Sequence, residues 1–577
     1  MVRRNFIKGI VCSSVLVGVS QPINANTVYS FIQKDNRKGG RKESYIADAV
    51  IIGGGLGGFA AAHALLRNHK TVIMTEETDW IGGQLTSQGV PPDEHQWIET
   101  EGATQLYRDF RTKIRDYYKQ HYPLIPSAGN DPLLNPGGGR VSRLCHEPRV
   151  AVSVLESYLA PYISSGRLKL FLNHKPINSE TNNGVVQSVE VESKISGERR
   201  VLYAPYFIDA TELGDLLPLT GTEYVSGTES KAETGELHAP EIGDPENVQS
   251  FTMCYAIDYV PGENHTIEKP KNWNFWRAHI PNLTPSWPGR LLELHYSSPR
   301  TLVPRELGFH PEGGSIKEGI LNLWDYRKII DRKKYPEGFY KGDATIVNWP
   351  INDYMLGNLI DATEKNFNRY LNESKQLSLS LLYWLQTEAP RPDGGKGWPS
   401  VRLRRDIMGT EDGMAKYPYV RESRRIKAVF TVLEEHVGKE NREMVAKNSE
   451  DAKSAANFHD SVGIGYYPID LHPSTKGMNY IDFPALRFQI PLGALLPIRM
   501  RNILPANKNI GTTHITNGCY RLHPVEWGIG EAVGLLTHYA LEKNKTPHEI
   551  REDKNRLSDF QDFIRSEGIE TTWNINH

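Results

Sequence analysis

Gly53-Gly54-Gly55-Leu56-Gly57-Gly58, with Glu76 placed downstream, is the densest chemical signal in this sequence. Gly53 permits a tight turn, Gly55 lets backbone approach a pyrophosphate, and Gly58 lets a following helix pack close to the preceding strand. A helix N-terminus then points its free N–H groups at the phosphates. A carboxylate about 20 residues past such glycines is where a ribose hydroxyl is held, and Glu76 takes that role. Spacing alone leaves open whether the dinucleotide is NAD or FAD.

Other residue types could do chemistry further along. His514 and His523 flank Ile515 to Leu522, and imidazole suits proton transfer near neutral pH. Cys519 lies between them, and a run of Arg143-Leu144-Cys145-His146-Glu147 precedes an expected helix over residues 148–160. Arg421, Arg424 and Arg425 could clamp a carboxylate or phosphate through paired guanidinium donors, or form an internal ion-pair network with Glu422. Arg402, Arg404 and Arg405 read as a solvated loop face. The cysteines, Cys12, Cys145, Cys254 and Cys519, include no CxxC pair and no Cys/His spacing suited to zinc, so no metal site and no disulfide framework is expected.

The elements around the glycines fit their role. Residues 47–52 (ADAVII) form a short apolar strand, residues 59–67 a helix of small and apolar residues, and residues 71–75 a second strand that ends at Glu76. At 577 residues the chain exceeds one ordinary core, and with 67 basic against 69 acidic residues it has no global field to draw in nucleic acid or an anionic membrane. Seven of the eleven tryptophans fall between Trp273 and Trp398. They read as a buried core ahead of a stacking platform for rings.

Further segments point to FAD. Trp80-Ile81-Gly82-Gly83-Gln84-Leu85 follows the ribose acid at once, and Tyr206-Phe207-Ile208-Asp209-Ala210-Thr211 follows a hairpin-like pair over residues 185–193 and 199–204. These resemble the FAD-dependent oxidoreductases of the glutathione-reductase type, in which a second Gly-Gly lies beside the flavin and a strand ends in Ala-Thr-Gly; here Glu212 stands at that last glycine. A broader family of FAD-dependent oxidoreductases is resembled through Val420-Arg421-Glu422-Ser423-Arg424-Arg425-Ile426 and Gly465-Tyr466-Tyr467-Pro468-Ile469-Asp470. The resemblance implies an α/β fold, a glutathione-reductase-type FAD-binding Rossmann-like domain with an inserted mixed α+β substrate domain. It also implies a final strand near Ile503 and a helix carrying Gly528 and Gly530 that closes the cofactor site. FAD contacts are thus expected at Gly53, Gly55, Gly58, Glu76, Gly82, Gly83, Gln84, Ala210, Gly528 and Gly530.

The implied reaction is hydride transfer from a small organic substrate, such as a sugar or alcohol, to flavin N5. His523 and His514 are the candidate bases and Arg421 a substrate clamp; Cys145, His146 or Cys519 would be attachment points if the flavin were covalent. No second GxGxxG follows a strand, so electrons are expected from a bound substrate and leave to an unidentified acceptor. Two competing readings are a polysaccharide lyase, which needs a Tyr/His/Arg cluster in a long open groove, and a flavin-binding protein without turnover.

The start, Met1-Val2-Arg3-Arg4-Asn5-Phe6-Ile7-Lys8 and a short apolar run, resembles a twin-arginine export signal, implying a periplasmic or secreted product cleaved near Ala25. Expected segments are 1–25 signal, 26–45 linker, 46–248 first part of the FAD domain, 249–480 substrate domain, and 481–577 second part and tail. No later segment is apolar enough to span a bilayer.

Overall fold

The computed structural model describes residues 43–313 and 316–574. The signal segment and nearly all of the expected linker lie outside the described residues. Labelled in chain order, the nucleotide-side sheet comprises strands β1 (Ala49–Ile52), β2 (Val72–Glu76), β3 (Leu168–Leu172), β4 (Tyr206–Asp209) and β5 (Ile503–Pro505), with helices α1 (Leu56–Arg67), α2 (His514–Tyr520) and α3 (His523–Lys543). The strands run parallel in the order β5-β4-β1-β2-β3. A parallel sheet survives only with both faces covered, which is why β1 is an unbroken apolar run.

Alternation along the strands assigns the two faces. Ala49 and Ile51 of β1, Val72 and Met74 of β2 and Ile208 of β4 pack on the helical side, in one core with α1 and α3. Val50, Ile52, Ile73 and Phe207 pack the other way, against Val186, Val189, Val191 and Leu202 of a four-stranded sheet. That sheet contains Arg199–Tyr203, Val185–Ser193, His174–Asn182 and, at its edge, Glu43–Ile46. The edge strand pairs in parallel with Arg200 to Tyr203, so residues 43–45 of the stretch read as a linker belong to a strand.

Helices α1 and α3 are in backbone contact. A Cβ on Gly530 would lie 2.1 Å from the Gly57 carbonyl oxygen, and one on Gly534 2.6 Å from that of Ala61. The small residues of both helices are what let α3 cross α1 so closely.

A second core gathers residues between Val248 and Val420, with Val90, Leu213 and Tyr480 added. All seven tryptophans from Trp273 to Trp398 are buried in it, as a core reading requires. Its four-stranded antiparallel sheet runs Lys328–Ile330, Ala344–Val347, Tyr255–Tyr259, Val401–Leu403. The helix Glu364–Thr387 starts at Thr363, whose hydroxyl accepts the Asn366 N–H, and buries Leu377, Leu381 and Leu385 at one-turn spacing. Val432, Val437, Val462, Ile469 and Leu471 pack instead on the first core. The stretch read as a substrate domain therefore shares its last part, from Val432 on, with the nucleotide side. Among the described residues, no helix is long and apolar enough to cross a membrane.

Candidate functional site

The nucleotide end is built where β1, β2 and β4 terminate. Gly53 sits at φ +99°, where an L side chain is strained, and a Cβ there would meet the Ala210 carbonyl oxygen at 2.2 Å. Gly58 faces back onto the same turn. Gly55 caps α1 with no side-chain hydrogen bond, so the first N–H groups of this helix are left for another partner. Glu76 closes β2. One carboxylate oxygen accepts the Gly54 N–H at 2.9 Å, the other the N–H and hydroxyl of Thr78. Burial pushes its carboxyl up to about 7.

The segment after Glu76 folds back onto the glycines. The Gly82 N–H donates to the Gly54 carbonyl at 2.7 Å, and Gly82 and Gly83 are both left-handed. Gln84 donates from Nε2 to the Arg521 carbonyl at 2.9 Å, tying this turn to the residues just before α3. Gly53, Gly55, Glu76, Gly83 and Ala210 line one opening, which also meets Glu212 and Tyr417.

Glu212 reaches across this opening, its Oε1 3.1 Å from where a Gly55 Cβ would stand. Its other oxygen pairs with Lys508, a fully buried cation that also meets Glu526 at 3.3 Å. Burial works against the Lys508 charge, but the two carboxylates outweigh it and hold its pKa above the ordinary value. Buried Oε1 of Glu212, Oε1 of Gln84 and both amide atoms of Gln88 have no protein hydrogen-bond partner. Orphaned buried polar atoms of this density around a glycine cradle fit a large polar cofactor: a diphosphate at the uncapped helix, a ribose at Glu76, and hydroxyl and ring heteroatoms along Glu212, Gln84 and Gln88.

The expected contacts on α3 are placed differently. Pro524 occupies the first turn of α3, and Gly528 and Gly530 come later. Gly530 is pressed on Gly57, while a Cβ on Gly528 would meet only Ile490 and Thr104, each at 3.9 Å. Gly530 thus packs against α1, and neither glycine lines the opening.

Each of the three expected catalytic residues is held by partners of its own. His514 is buried, its Nδ1 3.0 Å from both oxygens of Glu422, which also pairs with Arg425. His523 begins α3, and its Nδ1 accepts the Asp93 N–H at 3.0 Å. The neutral ring therefore carries its proton on Nε2 and offers a donor. Burial pushes this imidazole down to about 4, so it stays neutral at physiological pH. Arg421 is buried and lines a cavity between the two cores, where it pairs with Asp353 at 3.0 Å.

Arg424 and Arg425 are spent on internal pairs, the first with Asp215 and Asp361, the second with Glu229 and Glu422. Arg402 and Arg404 are not a solvated face: both bind the buried carboxylate of Asp258. Cys145 and Cys519 are fully buried, and burial pushes the Cys145 thiol up to about 12. Neither cysteine nor His146 lines the opening or the cavity.

The cavity encloses about 190 Å³. It adjoins Arg521 and Leu522, hence the start of α3 and the Gln84 turn. Three guanidiniums face it with their carboxylate partners: Arg327 with Asp93 at 3.3 Å, Arg421 with Asp353, and Arg521 with Asp470 at 3.1 Å. Tyr296, Tyr326, Tyr419, Tyr467 and Tyr480 supply aromatic walls, and His472 stands among them. Of these, only Arg421 was singled out by sequence for chemistry. Tyr467 and Asp470 lay in a quoted motif, and Arg521 lay between the two flagged histidines.

The family model described as FAD dependent oxidoreductase matches residues 48–564. The chain belongs to this family. FAD is its cofactor, and it is an oxidoreductase. Among solved structures, similarity extends to a variant of the quinol fumarate reductase FrdA of E. coli, 10% identical over 91% of this chain and 74% of that one, with a TM-score of 0.31. The p-nitrophenol 4-monooxygenase PnpA of Pseudomonas putida DLL-E4 is 11% identical over 67% and 71%, with a TM-score of 0.28. The L-proline dehydrogenase of P. horikoshii is 16% identical over 33% of this chain, with a TM-score of 0.17; the match spans 25% of its length, and that to the monooxygenase PieE spans 36%. These likenesses are too distant to bear on activity. No curated protein matches the chain.

Proposed function

We propose that this FAD-dependent oxidoreductase is a dehydrogenase or oxidase that takes hydride from a small hydroxylated substrate, a sugar or an alcohol, to flavin N5. The observation that carries the reading is the cavity between the cores, which pairs three buried guanidiniums with carboxylates under aromatic walls, beside the Gln84 turn. Paired donors and acceptors with ring faces suit a polyhydroxylated substrate. FAD supplies the two-electron acceptor when bound. The N-terminus of α1 would hold its diphosphate and Glu76 its ribose, while Lys508 fixes the Glu212 and Glu526 carboxylates near the Gly55 turn. His523, with its proton on Nε2, is a hydrogen-bond donor near the start of α3, and Arg421 positions substrate in the cavity.

The organisation is of glutathione-reductase type on this reading, supported by the glycine turn after β1 and by β5 joining the sheet beside β4. Residues 249–480 supply the substrate side, and a twin-arginine-type signal over residues 1–25 exports the protein. A Tyr/His/Arg cluster such as a polysaccharide lyase requires is present, but in a partly enclosed cavity and not in a long groove.

The test is anaerobic mixing of the holoenzyme with a panel of aldoses, uronates and polyols while flavin absorbance is followed at roughly 450 nm. Bleaching by a panel member supports the reading. Dithionite bleaching with no response to any member refutes it and leaves the carrier reading.

A further inference from the structure

Two histidines approach the cavity region with opposite polarity. His523 accepts a backbone N–H on Nδ1 and so presents a donor. His472 lines the cavity, and its Nδ1 lies 2.6 Å from Oδ2 of Asp353, a fully buried carboxylate. A carboxylate accepts only, so the neutral His472 ring keeps its proton on Nδ1 and holds a lone pair on Nε2. The ring is fixed by a partner that is itself fixed: Asp353 also accepts from the Thr252 hydroxyl and pairs with Arg421 at 3.0 Å. Burial works against the Asp353 charge, but Arg421 and His472 outweigh it and hold the carboxyl below its ordinary value. Asp353 therefore stays an acceptor through the neutral range.

We propose that His472, oriented by Asp353, is the base that takes the hydroxyl proton of the substrate in this cavity. The inference rests on the substrate reading above. The substrate O–H bond breaks and its proton goes to His472 Nε2. The adjacent C–H bond breaks with its electron pair leaving as hydride, a C=O bond forms, and FAD is the two-electron oxidant. One proton and one hydride account for the two hydrogens lost.

The groups around His472 suit the task. Asp470 Oδ2 lies 3.7 Å from Nε2, close enough to stabilise the imidazolium that forms, and is itself paired with Arg521. Tyr480 meets the imidazole edge to face, with ring centroids 5.3 Å apart, which limits its rotation. Asp482, the remaining carboxylate on the cavity, pairs outward with Arg300 at 3.3 Å.

The experiment compares wild-type holoenzyme with His472→Gln and His472→Asn in the anaerobic reductive half-reaction, using the panel member that reduces wild type fastest. FAD content and dithionite bleaching should match wild type, which shows that the flavin site is intact. Flavin reduction should slow by about 10² to 10⁴-fold, the usual worth of a positioned base. The wild-type rate should rise with pH and level off, whereas the variants should keep rising with hydroxide. Reduction within about threefold of wild type, with the levelling retained, overturns the proposal. If no panel member reduces wild type, the substrate reading has failed, and carbethoxylation of the wild-type holoenzyme by diethyl pyrocarbonate judges the dyad on its own. His472, although largely buried, should then react at least as fast as the exposed His295. A rate about tenfold or more below that of His295 overturns it.

Discussion

Gly528 and Gly530 stand two residues apart on one buried helix, and the structure predicts opposite consequences for the same substitution. A methyl group at Gly530 would sit 2.1 Å from the Gly57 carbonyl oxygen, against backbone of α1 that cannot rotate away. Relief requires α3 to withdraw from α1 by about 1 Å, and overpacking of this kind costs about 1–3 kcal/mol, here toward the upper end. Replacing glycine by alanine in a helix interior returns about 1 kcal/mol, so Gly530→Ala should lose roughly 2 kcal/mol net. At Gly528 a methyl group meets only Ile490 and Thr104 at 3.9 Å, an ordinary contact, so Gly528→Ala should gain about 0.5–1 kcal/mol. Urea denaturation of both holoenzymes at one fixed FAD excess reads this as midpoints displaced in opposite directions. Because α1 carries Gly55, Gly530→Ala should also weaken FAD binding, while Gly528→Ala should leave it unchanged. Equal midpoints for the two variants, or loss of FAD from Gly528→Ala, would refute the packing assignment.

Asp209 is fully buried, and burial pushes its carboxyl from 3.8 up to about 7 although Thr211 donates to it twice. The folded state then holds a proton that the unfolded chain releases first, so stability falls as pH rises from about 4 to about 7, by up to roughly 4 kcal/mol. Asp209→Asn lacks this contribution; its stability relative to wild type should increase across that window in urea titrations, and parallel pH profiles would count against a raised carboxyl. Glu76→Gln retains the side-chain length but replaces one acceptor oxygen by a donor facing the Gly54 N–H. Loss of a charged hydrogen bond of this kind is worth about 1.5–3 kcal/mol, or about 10- to 100-fold in FAD affinity by fluorescence titration. An affinity within about twofold of wild type would remove Glu76 from the ribose site.

The nucleotide side was legible because its signals are local. Strand, glycine turn, helix and acid lie within 30 residues, and Gly58 packs on the nearby Gly53, although Gly53 itself answers to Ala210, far along the chain. The packing of Gly530 was not legible for the converse reason: its neighbour is Gly57, brought to it only by the closure of the sheet, and a helix glycine looks alike beside a cofactor or beside another backbone. The solvated face expected at Arg402 and Arg404 failed similarly. Their partner Asp258 is remote in sequence and becomes adjacent only because Val401–Leu403 pairs with Tyr255–Tyr259. His472 gave no signal at all, since nothing beside it in sequence reveals the Asp353 carboxylate that gives it polarity.

The charges around the cavity bear on what it can hold. Each of Arg327, Arg421 and Arg521 is already matched by one carboxylate, Asp93, Asp353 and Asp470. No whole positive charge is left over for an anion, and a substrate carboxylate would enter a desolvated region already in balance, a costly arrangement. What the arginines do have to spare is direction. The residues Arg327, Arg421, Arg521 and Asn348 all line the wall, and a guanidinium held by one carboxylate has further N–H groups. A neutral substrate carrying several hydroxyls can accept from such donors and donate to the paired carboxylates, while its ring lies against tyrosine faces. Charge balance thus separates two substrates of similar size: a neutral sugar or polyol fits the wall as it stands, whereas the corresponding acid would have to displace one of the three aspartates from its arginine.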